Sequence, residues 1–263
     1  MRPGPELPDG ISQYDLRHDP RHDPSAGEDP FAELRGSVDW EETGRGRRAA
    51  VIVRVGADGA VPLVRTTARY ARPAQRFRPV HERLARLVRE RAALPDGLDN
   101  ALVELYTNAY TTMGAHSDLA LDLAEGSSIA LYSCYRDPSG PPRTLRFEPK
   151  DGVPGEDFGI PLHHHGLVVF TLAANRRFRH RILLEPPART VDNEWLGVTF
   201  RTSATPVRHR AGRAHLPDGE LLAATEEQQR EFHLLRRREN RETDFAYPPL
   251  AYTVSGSDLL PPV

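Results

Sequence analysis

The chain has 263 residues, 38% hydrophobic and 27% charged, which suits one β domain with added arms or two small domains and is long enough to bury a substantial core. A formal net charge of −2 excludes a global positive field that would draw the chain onto nucleic acid, though a net sum hides local basic grooves. The single cysteine, Cys134, excludes an intrachain disulfide, and neither a membrane-length apolar run nor a signal-peptide pattern is present, so the expectation is a cytoplasmic protein with no membrane contact.

Residues 1–45 are rich in Pro, Gly, Asp and Arg and read as a disordered or irregular N-terminal arm. Within it Arg17-His18-Asp19-Pro20 repeats as Arg21-His22-Asp23-Pro24. The His-Asp pairs are formal metal-ligand candidates, but a local duplication in a disordered tail is the stronger reading. Ala49–Val55 is β-rich, Asp58-Gly59 is a turn signal, and Val61–Arg65 reads as the returning strand. Pro79–Ala93 has helical periodicity, with Val80, Leu84, Leu87 and Val88 on one face, and Pro95-Asp96-Gly97 ends it.

From residue 101 short strands follow: Ala101–Tyr106, Ser128–Tyr132, Thr144–Glu148, Leu167–Leu172, Arg181–Leu184 and Leu196–Thr202, separated by turn signals. Such spacing implies an all-β sandwich or barrel core. With the preceding helix the class is α+β. Residues 206–225, rich in Arg, His and Gly, read as a loop. Glu226–Asn240 reads as a charged helix with Phe232, Leu234 and Leu235 as apolar contacts, and the tail beyond it as a packed terminus. The implied organisation is an arm over 1–45, a core domain over 46–205 and a C-terminal extension over 206–263 packed on the core. Lys150 is the only lysine, and the arginine excess is read as coding bias.

The chemistry lies in His116-Ser117-Asp118 and the distant His180. Side chains alternate along a strand, so a His and an Asp two residues apart share a face. A second His from another strand completes the two-His, one-carboxylate set of non-haem Fe(II) oxygenases, which leaves coordination positions open. A lone His-x-Asp is weak evidence in a chain with 11 histidines. Arg201, on the strand-like run after His180, strengthens it, because a guanidinium there suits a carboxylate of a diacid. His163, His164 and His165 are read as a solvated hairpin loop, and Cys134 as a structural cysteine.

Asn108-Ala109-Tyr110, His116-x-Asp118, Phe178-x-His180 and Thr199-Phe200-Arg201 occur in the order found in AlkB-like dioxygenases, and Pro62–Thr67 is similar to the opening of that domain. The resemblance covers roughly residues 62–203. It implies a double-stranded β-helix (jelly-roll) core with an N-terminal helix and a C-terminal helical extension. It implies Fe(II) on His116, Asp118 and His180, and 2-oxoglutarate as co-substrate, bound by Asn108, Tyr110, Arg201 and Ser203. No catalytic residue beyond the metal ligands is implied. The family's pattern has another arginine six residues before Arg201, where this chain has Trp195; Arg201 itself or another basic residue such as Arg146 is then left to hold the far carboxylate. Family members acting on bases carry an aromatic and an acid where this chain has Thr171 and Ala120; Asp122 or Tyr135 are the candidates to replace them. Phe170, Leu172 and Phe178 are expected near the site.

The leading functional reading is an Fe(II)/2-oxoglutarate-dependent oxygenase that hydroxylates or demethylates a small molecule such as a nucleoside, amino acid or secondary metabolite. A nucleic-acid demethylase is the alternative, with the arginine-rich segments 176–181, 208–213 and 236–241 as candidate phosphate stripes. A non-catalytic jelly-roll binding module is the second alternative.

Overall fold

The computed structural model describes residues 7–17, 29–95, 97–186 and 192–263. In chain order the first elements are β1 (Ile11–Asp15), α1 (Pro30–Arg35), β2 (Glu41–Gly44), β3 (Arg47–Val53), β4 (Val61–Leu63), β5 (Gln75–Arg76) and α2 (Pro79–Arg91). Then come β6 (Asn100–Thr107), β7 (Ser128–Tyr135), β8 (Arg143–Pro149), β9 (Phe158–Leu162), β10 (Gly166–Thr171), α3 (Leu172–Arg177), β11 (Phe178–Leu183) and β12 (Glu194–Arg201). The last are β13 (Thr205–Arg210), β14 (Arg213–Leu216), β15 (Gly219–Glu220), β16 (Leu222–Ala223), α4 (Glu226–Glu239) and β17 (Tyr252–Thr253).

The architecture is mostly antiparallel sheet with few helices. A large sheet runs β1-β10-β7-β12-β6-β3-β2, with β5 beside β3, and a three-stranded sheet runs β11-β8-β9. One face of the large sheet packs against α1 and α2, where Phe31, Leu34, Leu84 and Val88 meet Ile52, Val103 and Leu105. The other face meets the small sheet, where Leu131, Phe170 and Trp195 pack with Leu145, Phe147, Phe178 and Ile182. Strands covered on both sides need apolar residues on both sides, which is why β7 reads Ser-Ile-Ala-Leu-Tyr-Ser-Cys-Tyr with little alternation. Cys134 is fully buried there. No helix among the described residues is long and apolar enough to cross a membrane.

Several expectations need correction. The described part of residues 1–45 is ordered into β1, α1 and β2, and β1 and β2 are the two ends of the large sheet, so the core does not begin at residue 46. Sparse apolar residues suffice: Ile11, Leu16, Phe31 and Leu34 are all buried, and Asp29 caps α1 ahead of Pro30 by accepting from the Phe31 amide at 3.0 Å. The repeated pairs His18-Asp19 and His22-Asp23 lie outside the described residues. β4 does not return along β3; it pairs with β13. Residues 206–225 are not a loop but carry β14 and β15 beside β13, with Val207, Ala214 and Leu221 forming a small core with Leu63. Only Phe232 of the three expected α4 contacts is fully buried, and Leu234 is 59% exposed.

α2 is tied to α1 by a buried histidine. The Arg78 amide donates to His81 Nδ1 at 3.0 Å, and His81 Nε2 lies 2.7 Å from Ser37 Oγ. Ser37 Oγ gives its own proton to the Leu34 carbonyl, so Nε2 must be the donor and Nδ1 the acceptor. Protonation would destroy that acceptor. Burial first, then Arg78, lowers the His81 pKa to about 4. Its contribution to stability is therefore complete above the unfolded value of about 6.5 and is lost as pH falls through about 4. Urea melts at pH 7.5 and pH 4.5 should show a loss about 2 kcal/mol larger in the wild type than in His81→Gln. Equal losses in both proteins would refute this assignment.

Candidate metal centre

His180 sits on β11, where Phe178, His180 and Ile182 turn inward and pair with β8. His116 is its cross-strand partner: each backbone amide donates to the other's carbonyl, at 3.0 and 2.6 Å. The His116–Asp118 segment is not a regular strand, as the sequence had suggested, but an extended stretch holding this single bridge to β11. Its other anchors come from side chains. Ser117 Oγ donates to the Phe178 carbonyl at 3.0 Å, and the Asn175 side chain of α3 brackets Asp118, accepting from its amide at 2.7 Å and donating to its carbonyl at 2.8 Å.

The result is a convergence of three donors. One ligand atom each from His116, Asp118 and His180 lies within 4.8 Å of the others. Asp118 Oδ1 is 3.5 Å from His180 Nε2 and 4.0 Å from His116 Nε2. Adjacent ligands of an octahedral ion at 2.0–2.2 Å stand about 3 Å apart, so a small inward movement would close the set. The other carboxylate oxygen, Oδ2, is held by Arg201, through Nε at 2.7 Å and Nη2 at 2.5 Å. Asp118 thus keeps one oxygen for a cation while Arg201 fixes the plane of the group.

Electrostatics favours the same use. Burial, then the neighbouring His180, lowers the His116 pKa to about 3 against the pull of Asp118, so the imidazole is neutral, as a metal ligand must be. Burial opposes the charge on Asp118, but Arg201 and the histidines outweigh it and hold the carboxyl well below its usual range. His116 Nδ1 is 2.9 Å from the Gly114 carbonyl, which turns Nε2 toward Asp118. His180 Nδ1 is buried with no hydrogen-bond partner among the described residues. Two imidazoles and one ionised carboxylate are a donor set able to hold a divalent ion.

The C-terminal helix α4 secures this segment from outside. The Ser117 amide donates to Asn240 Oδ1 at 2.9 Å, Arg236 donates to the Ser117 carbonyl, and the Ala120 amide donates to Glu239 Oε1 at 2.7 Å. Arg236 and Glu239 also pair with each other. Lys150, pushed down to about 8 by burial, gives its ammonium to the Glu239 carbonyl at 2.5 Å and so caps the helix end. The helix itself is begun by a reciprocal cap between Thr225 and Gln228.

The trio opens into a cavity of about 830 Å³. Arg201 and Tyr110 line it, as does Phe170, whose ring centre is 5.1 Å from that of His180. Asn108 and Ser203 are not among its lining residues; Ser203 Oγ donates to the Leu63 carbonyl at 2.6 Å. Leu172 and Phe178 are buried in the core behind the site. Arg146 is no second cation for the cavity: it alternates to the outer face of β8 and pairs with Asp157 at 3.2 Å. Asp122 is fully buried against Arg65, and Tyr135 donates its hydroxyl to the Leu162 carbonyl at 2.8 Å, so neither faces a ligand. Trp195 is buried, its indole donating to Ser133 Oγ at 3.1 Å. Thr171 caps α3. In the His163–His165 turn, His164 accepts from the Tyr135 amide at 3.1 Å and His165 lies 2.8 Å from the Tyr132 hydroxyl.

Sequence reading missed Arg47, Tyr70 and Glu104, which also line the cavity, together with the α4 anchors. Glu104 alone left a trace, as an acid inside the apolar run Ala-Leu-Val-Glu-Leu-Tyr.

No family model and no curated protein matches the chain. Among solved structures, OsALKBH1 is similar with a TM-score of 0.48 and 16% identity, over 75% of this chain and 100% of that one.

Proposed function

We propose that this chain is an Fe(II)- and 2-oxoglutarate-dependent oxygenase with an AlkB-like double-stranded β-helix core, acting on a small molecule. The observation that carries the proposal is the meeting of His116, Asp118 and His180 at the cavity wall, with one Asp118 oxygen directed at both histidines and the other held by Arg201. The two facing antiparallel sheets that enclose this point support the fold assignment. When bound, iron with a 2-oxo acid would supply oxidation of a substrate C–H by O₂, the 2-oxo acid leaving as succinate and CO₂.

The protein's part is ligation, orientation and exclusion of water. His116, Asp118 and His180 would hold the iron. Arg201 keeps Asp118 ionised and aligned, and Tyr110 offers a hydroxyl in the same cavity. Phe170 walls the site beside His180.

A small-molecule substrate is favoured because six of the eleven arginines of the candidate phosphate stripes are already paired with acids, Arg236 with Glu239 among them. Arg176 meets Glu125, Arg181 meets Glu148, Arg208 meets Asp58, Arg213 meets Glu220, and Arg238 meets Glu242. Paired guanidiniums contribute little to a phosphate-binding field. A steep, salt-dependent oligonucleotide affinity would move the substrate to nucleic acid.

The deciding experiment is anaerobic absorption spectroscopy of the Fe(II)-loaded protein titrated with 2-oxoglutarate. A weak visible charge-transfer band is expected, absent from His180→Ala. No band at millimolar co-substrate, with iron shown to be bound, would replace the enzyme reading by the binding-module one.

A further inference from the structure

Besides the metal trio, the cavity carries a second charged cluster, on β3, β6 and the segment between β4 and β5. Arg47 gives Nε at 3.0 Å and Nη2 at 2.6 Å to a single oxygen of Glu104. The same oxygen accepts the Tyr106 hydroxyl at 2.8 Å. The Arg47 cation stands 6.0 and 5.9 Å from the ring centres of Tyr106 and Tyr110. Burial opposes its charge, but Glu104 and the tyrosines more than offset that, so it stays a permanent cation.

Tyr70 completes the cluster. It is 5% exposed, lines the cavity, and its hydroxyl has no hydrogen-bond partner among the described residues. An unpaired polar atom at a cavity wall is a place where a ligand is expected to bond. Glu104, Arg47 and Arg201 all act on that hydroxyl, so it belongs electrostatically to both the metal side and the Arg47 side.

A guanidinium has two donor edges. Glu104 takes the Nε–Nη2 edge of Arg47, and the Tyr110 hydroxyl also interacts with this guanidinium, so a planar acceptor entering on the Nη1 side would meet both groups. β12 offers no cation there besides Arg201. Its Trp195 indole lies flat over Gly197, where an added Cβ would fall 2.2 Å from the ring, directly across from Glu104.

We propose that Arg47, aided by Tyr70, seats the far carboxylate of the 2-oxo acid and thereby makes the protein select a dicarboxylic over a monocarboxylic 2-oxo acid. The proposal rests on the oxygenase reading above. An ion held by His116, Asp118 and His180 would take the 2-oxo-acid end in either case, so Arg47 acts on discrimination rather than on chelation.

The test is binding, without turnover. Affinities of the anaerobic, Fe(II)-loaded full chain for 2-oxoglutarate and for 2-oxopentanoate, which has the same carbon count without the far carboxylate, are measured by calorimetry. The wild type should prefer 2-oxoglutarate by about 100-fold, the scale of a charge-assisted pair. Arg47→Met should lose that preference while its affinity for 2-oxopentanoate moves less than about threefold, and Arg47→Lys should recover part of it. Because Arg47→Met strands Glu104, the double variant Arg47→Met/Glu104→Gln is measured beside it and should show the same loss. Tyr70→Phe should weaken 2-oxoglutarate alone, by about fivefold. A wild type that discriminates and variants that still do would overturn the Arg47 assignment and leave the oxygenase reading standing. A wild type that binds neither acid would overturn both.

Discussion

Asp118→Ala is expected to abolish metal binding and to destabilise the metal-free protein at the same time. Its carboxylate has two tasks: Oδ1 faces the histidines and Oδ2 holds Arg201. Removing it takes the only negative charge from the donor set, so affinity for Fe(II) or Mn(II) should fall by more than about 100-fold, the upper end of what losing an outer partner costs. It also leaves the Arg201 guanidinium, in a residue 8% exposed, without its anion. Breaking one side of a buried pair costs about 3–5 kcal/mol. Asp118→Asn separates the two tasks, since an amide oxygen still accepts from Arg201; it should lose the metal with a smaller loss of stability. Metal titrations and urea melts of the metal-free forms measure both. Metal affinity in Asp118→Ala within tenfold of the wild type would show that these residues are not the metal site.

Arg65→Met should cost about 3–5 kcal/mol without touching the metal ligands. Arg65 is 3% exposed, and Asp122, its partner, is 0% exposed. The Arg65 amide and Nε donate to Asp122 Oδ2 at 2.8 and 2.9 Å, and Nη2 donates to Oδ1 at 2.7 Å. Nη1 holds the C-terminal tail, donating to the carbonyls of Leu250 and Tyr252 at 2.8 and 2.9 Å. The substitution therefore strands a buried carboxylate and two carbonyls together. At about 2–4 °C per kcal/mol, the melting temperature should drop by roughly 10 °C. Arg65→Met/Asp122→Leu removes both charges and should recover most of the loss. A single variant that loses under about 1 kcal/mol would mean that the tail is anchored by something other than this pair.

The strand pattern from residue 101 was readable because strands sandwiched between two layers leave long apolar runs and sharp turns. His116, Asp118 and His180 were readable as a set because alternation and side-chain chemistry are local rules, and the structure brings the three together. What resisted reading was non-local. Nothing near Val61 signals that β4 pairs with β13 instead of β3. The described part of the arm, read as disordered or irregular, is ordered because a handful of buried residues, Ile11 and Phe31 among them, outweigh its Pro- and Asp-rich composition. The stretch 206–225 looked like a loop because its strands are short and carry few apolar residues. Arg47, Tyr70, Arg236 and Asn240 matter only through what they meet, and those partners are remote in sequence.

The attachment of α4 to the His-x-Asp segment has a consequence for biosynthesis. Ser117 and Arg236 are 119 residues apart, and Arg65 and Tyr252 are 187 apart. The ligand residues leave the ribosome well before the residues that fasten them. At about 5–20 residues per second, several seconds separate His180 from Asn240. During that interval the nascent chain holds the donors without their outer support, so the site matures last, after translation has passed the strands that frame it.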